Sequence, residues 1–135
     1  MGEQEAANVA VVKRFYAILA EGDRDGAYAA CMAEDCVLHE AASLPYGGVY
    51  PGRELMKATL SGVTDSFDLF TYEIRNYLAG GDEVVVHLHM SGVGRKSRKP
   101  FSLPVMELWR FREGKAIEMR PFLYDSAALI AALDL

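Results

Sequence analysis

Glu40 is the first side chain in this sequence placed to do chemistry. It closes the run Cys36-Val-Leu-His-Glu40 and precedes Ala41-Ala-Ser-Leu-Pro45, so most of its chain neighbours are apolar. A carboxyl held among apolar groups keeps its proton to higher pH, which is the condition for acid/base work near neutrality. His87-Leu-His89 is a second candidate, because two imidazoles at i and i+2 on a strand can hold zinc or iron with a carboxylate from elsewhere. Only His39 remains as a third imidazole, and one His-x-His pair is a weak signal, so no metal site is expected. Cys31 and Cys36 match neither a C-x-x-C redox pair nor half of a zinc ribbon, and both are read as reduced and structural. Ser43 lacks a nucleophile elbow, and Gly47-Gly48 lacks the spacing of a dinucleotide fingerprint. No cofactor is expected.

The elements that must position these groups follow from hydrophobic period. Val9, Val12, Phe15, Tyr16 and Leu19 recur at helical steps between Glu5 and Glu21, where Gly22 stops the pattern. Asp23 or Asp25 can cap a second helix from Gly26 to Ala33, ahead of a strand from Val37 to Ala41 that runs into a Gly/Pro loop. A third helix is expected over Arg53 to Leu60, with Leu55, Met56, Thr59 and Leu60 on its inner side and Gly62 beyond its end. The segments Phe67 to Leu78, Glu83 to Val93, Phe101 to Phe111 and Ala116 to Leu123 are rich in β-branched and aromatic residues and read as antiparallel strands. Gly80-Gly81-Asp82 and Arg112-Glu113-Gly114-Lys115 supply tight turns between them. Asp125 can cap a last helix from Ser126 to Leu133, and residues 1–135 read as one α+β domain.

A net charge of -5 and a pI near 5.2 argue against nucleic acid or an anionic membrane as partner. The basic segment Arg95-Lys96-Ser97-Arg98-Lys99 reads as a solvated hairpin tip. With neither a signal peptide nor a long apolar run, the expected location is cytoplasmic.

The order of elements, together with Ala20-Glu-Gly-Asp-Arg-Asp-Gly26, Ala33-Glu-Asp-Cys-Val-Leu-His-Glu40, Leu44-Pro-Tyr-Gly-Gly48 and Phe111-Arg-Glu-Gly-Lys-Ala-Ile-Glu118, resembles the nuclear transport factor two-like superfamily. Within it the chain is most similar to SnoaL-like polyketide cyclases and ketosteroid isomerases. The resemblance implies a cone-shaped barrel, a curled antiparallel sheet packed on three N-terminal helices, with a short C-terminal helix. It places Glu40 where ketosteroid isomerases keep a general-base aspartate, and Glu107 where they keep a protonated aspartic acid. The tyrosine of that family's oxyanion hole falls on Phe15, which cannot donate a hydrogen bond. Tyr16 lies about 100° further around the helix and is not expected to replace it.

The resemblance also assigns the concave faces: Val84, Val86, Leu88 and Met90; Val105, Glu107, Trp109 and Phe111; and Ile117, Met119, Pro121 and Leu123, with Asp125 at the same parity. His87 and His89 then face outward, on a surface that in such proteins often forms a homodimer. The implied site has Glu40, Glu107 and Asp125 as catalytic acids. Phe15, Tyr46, Met56, Leu60, Val86, Leu88, Trp109, Met119 and Leu123 are its ligand-binding wall. The implied function is a small cofactor-independent enzyme acting on a hydrophobic carbonyl compound, of isomerase, polyketide cyclase or dehydratase type. The alternative is a non-catalytic module of the same fold that binds a hydrophobic ligand or dimerises.

Overall fold

The computed structural model describes residues 2–133. Helix α1 (Glu3–Ala20) buries Val9, Val12 and Phe15 along one stripe and stops before Gly22, whose positive φ of 85° suits a residue without a side chain. Asp23 caps α2 (Arg24–Cys31) by accepting from the Gly26 amide at 2.9 Å, two residues earlier than the expected helix start. Cys31 and Cys36 are free and fully buried, and burial raises the Cys36 thiol to about 12.

Strand β1 (Met32–Glu40) follows without a loop, and β2 (Gly48–Pro51) folds back on it in register from Val37–Pro51 to Glu40–Gly48. The Gly/Pro segment read as loop therefore contains an edge strand. Pro51 is tolerated because it ends that strand at the sheet margin. Helix α3 (Arg53–Thr64) runs four residues past the expected end, straight through Gly62. A glycine inside a helix costs only about 1 kcal/mol, and the packing of Leu60 and Val63 on the core outweighs it.

Strands β3 (Phe67–Gly80), β4 (Glu83–Gly94), β5 (Pro100–Arg112) and β6 (Lys115–Leu123) form the antiparallel part of the sheet, and α4 (Ser126–Leu133) closes the described chain. The sheet order is β2-β1-β6-β5-β4-β3. The expected curled sheet packed on helices is present, and two of its details differ from an all-antiparallel barrel. The sheet is mixed, since β1 runs parallel to β6, and it is open, with β2 and β3 as its edges. Bulges bend β3 between Asp68 and Thr71 and between Ile74 and Asn76. Each extra residue reverses strand parity, so Phe67 faces inward, then Phe70, Tyr72 and Ile74, then Tyr77 and Ala79. Leu69 absorbs the first bulge at φ 55° and is thrown outward. The bends curl the sheet around α1. No helix among the described residues is long and apolar enough to cross a membrane.

Candidate active site

The curled sheet, α1 and α3 enclose a cavity of about 120 Å³. An apolar cavity of similar size, roughly 150 Å³, holds a single six-membered ring. Helix α1 contributes Phe15, Tyr16 and Leu19, α2 contributes Tyr28, and α3 contributes Leu60, Val63 and Thr64. The remaining wall includes Tyr46, Phe70, Tyr72, Leu88, Met119 and Leu123. Two acids, Glu40 and Glu107, face this space.

The sheet register sets where the acids stand. Leu38 pairs with Met119, which brings Glu40 level with Pro121, and Pro121 pairs with Glu107. Glu40 and Glu107 are thus two strands apart, roughly 9–10 Å between backbones at ordinary strand spacing. Pro121 lies between them and offers no side-chain donor. Glu40 is 8% exposed. Burial, reinforced by the nearby Glu107, pushes its pKa up to about 8.

Glu107 is half-buried and lines the cavity. Its Oε1 accepts from the Tyr16 hydroxyl and, at 3.3 Å, from Trp109 Nε1. Burial raises the Glu107 carboxyl above the usual range, and the two hydrogen bonds, which favour its anion, only partly offset that. Tyr16 is raised well above an ordinary phenol, first by burial and then by Glu107. With Oε1 taken by two donors, Oε2 is the oxygen left to carry a proton and present it to the cavity. Edge-on aromatic contacts hold this corner, with Phe15 at 5.3 Å from Tyr16, 5.1 Å from Tyr28 and 5.2 Å from Trp109 between ring centres.

The expected site is corrected at several positions. Tyr16 enters the cavity beside Phe15, because a sheet curled around α1 meets an arc of the helix wide enough to include residues 100° apart. Asp125 lies outside the cavity and is exposed; its Oδ1 accepts from the Ala128 amide at 3.2 Å as the cap of α4. Met56, Val86 and Trp109 are buried in the core rather than lining the cavity, although Trp109 reaches it through its bond to Glu107. Phe15, Tyr46, Leu60, Leu88, Met119 and Leu123 do line it. Tyr50 stands outside and braces the loop, its hydroxyl donating to the Tyr46 carbonyl at 2.8 Å. Sequence reasoning missed Tyr28, Phe70 and Tyr72; parity counted from Phe67 along β3 could have found the last two only with the first bulge known.

His87 and His89 alternate with the buried Val86 and Leu88 and so face away from the cavity, with His89 Nε2 2.6 Å from Ser102 Oγ. Among the described residues, no three His, Cys, Asp or Glu side chains gather where they could hold a metal ion.

The model of the SnoaL-like domain matches residues 12–119, a span that includes the second half of α1, both acids and nearly all of the sheet. The chain belongs to the SnoaL-like domain family. Solved structures place this SnoaL-like domain within the nuclear transport factor two-like fold. A nuclear transport factor two-like protein from Burkholderia xenovorans is 25% identical, with a TM-score of 0.83 over 98% of this chain and 99% of that one. A Jannaschia protein assigned as a SnoaL-like polyketide cyclase is 21% identical, with a TM-score of 0.86 over 100% and 97%. TerC, co-crystallized with polyporic acid, is 21% identical, with a TM-score of 0.81 over 96% and 99%. No curated protein matches the chain.

Proposed function

We propose that this SnoaL-like domain is a cofactor-independent enzyme that moves a proton next to the carbonyl of a small hydrophobic compound. The observation that carries the proposal is the pairing of two raised carboxyls across one apolar cavity, with one of them pinned at Oε1 by Tyr16 and Trp109. Glu40, whose shift involves burial and Glu107 but no hydrogen bond, is free to take a proton. Glu107, oriented by its two donors, is suited to give a hydrogen bond from Oε2.

In the step proposed, Glu40 removes a proton from the carbon beside the carbonyl. The C–H electron pair becomes a carbon–carbon double bond, and the carbonyl π pair moves to oxygen, where Glu107 Oε2–H stabilises it. Glu40 then returns the proton to the same carbon or, in a conjugated substrate, two carbons further on. Atoms and electrons balance without an oxidant or a cofactor. An aldol-type ring closure begins with the same abstraction. The polyketide cyclase assignment of the Jannaschia relative supports that variant.

The test uses cyclohex-3-enone, a single ring that suits the cavity, in D₂O. Proton NMR should record deuterium uptake beside the carbonyl and conversion to cyclohex-2-enone, both lost in Glu40→Gln. Saturable binding without either change would overturn the enzyme reading in favour of a non-catalytic binding module. We also propose a homodimer through the outer sheet face, where the cross-strand partners Met106 and Phe122 are both exposed.

A further inference from the structure

A second concavity lies on the other side of Glu40. It is a cleft of about 430 Å³ at the end of β1 and β6, and Glu40, Pro121 and Leu123 line both spaces. Leu44, Val49 and Phe122 give the cleft an apolar wall, and His39 and Arg120 bring basic side chains to it.

The electrostatics of this cleft run against those of the whole chain, whose net charge is -5. Glu118, which does not line the cleft, gathers Arg110 at 2.9 Å, Arg120 at 3.3 Å and His39 Nε2 at 3.5 Å. Burial opposes ionisation of Glu118, but these neighbours outweigh it and hold the carboxyl below its usual range. One carboxylate therefore faces two permanent guanidinium charges, so the group keeps at least one positive charge unbalanced. Among the described residues Glu40 is the single acid on the cleft wall, and it stays largely protonated at neutral pH.

We infer that this outer cleft binds a small carboxylate with an apolar body, the anion on Arg120 and His39 and the body against Leu44 and Val49. An anion there gains a charge-assisted bond that Arg120 gives only partly to Glu118, at 3.3 Å and with a side chain nearly half exposed. The inference does not depend on the inner cavity being catalytic.

The experiment is an amide NMR titration of the full chain with phenylacetate and, separately, with neutral phenylacetamide. Phenylacetate should move the His39, Leu44, Val49 and Arg120 signals saturably and bind at least about tenfold more tightly than the amide, the worth of one charge-assisted bond. Arg120→Gln should weaken phenylacetate by a similar factor. Val49→Glu, at a position 62% exposed where the fold is not at risk, should abolish its binding. Glu107→Gln should leave it unchanged. Equal affinity for the two probes, insensitivity to Arg120→Gln, or shifts confined to Tyr16, Tyr72 and Met90 of the inner cavity would each overturn the inference.

Discussion

The hydroxyl of Tyr16 on α1 donates to Oε1 of Glu107 on β5, across 91 residues of chain. That bond converts a helix residue into the support of a strand residue, and it settles which oxygen of Glu107 is free. It also changes the chemistry open to the tyrosine. Because its proton is already directed at Glu107, Tyr16 acts through that carboxyl and is a positioning residue rather than a direct donor to substrate.

Tyr16→Phe should raise the Glu107 pKa further, since the bond it removes favours the anion. Carboxyl NMR or infrared difference spectroscopy reads this directly. The variant should lose about 1–2 kcal/mol of stability, in line with one buried hydrogen bond. Turnover should fall with little change in ligand affinity. An unmoved Glu107 pKa would refute the positioning role.

Glu107→Gln keeps the shape of the carboxyl and offers an amide donor in place of O–H. Binding of a cyclic ketone should persist, while the rate of proton exchange beside its carbonyl falls, by less than the roughly 10²–10³ lost when an oxyanion donor is removed outright, because the amide N–H donates more weakly than the carboxyl O–H. Equal losses in affinity and rate would show that the residue serves binding alone.

Glu40 makes stability depend on pH. Its folded pKa of about 8 lies above the ordinary 4.5, so the folded state holds the proton more tightly. Its contribution is fully present below about pH 4.5 and is lost as pH rises through about 8, on the order of a few kcal/mol. Glu40→Gln should flatten this part of the curve, making the variant relatively more stable at pH 9 than at pH 4. Denaturant midpoints across that range decide the matter.

The same value predicts the pH profile of catalysis. Activity should climb as Glu40 loses its proton through about pH 8, because it works as a base. It should fall again where Glu107 ionises. As the two carboxyls interact, the limbs belong to the pair. A profile flat from pH 6 to 9 would exclude Glu40 as base.

Phe122→Asp places a charge beside exposed Met106 on the outer sheet face. Sedimentation should show the native chain as a dimer and this variant as a monomer with its helical circular dichroism intact. A native monomer at micromolar concentration would exclude the homodimer.

Periodicity alone located both long helical stripes and the four antiparallel strands, because alternation over ten or more residues leaves little freedom about type. The identity of Glu40 as an acid with apolar neighbours was likewise plain from its local context, and the resemblance added Glu107. What the linear chain left undecided was everything that depends on curvature. The first bulge in β3 reverses its parity and brings Phe70 and Tyr72 inward, the second restores it, and the curl the two produce wraps the sheet around α1 until Tyr16 joins Phe15 at the cavity. Asp125 shares parity with Leu123, yet the strand has ended by then and the side chain turns to cap α4. Backbone patterns are set by near neighbours in sequence. The partner of a buried carboxyl is set by how far a sheet bends, and that is a property of all six strands together.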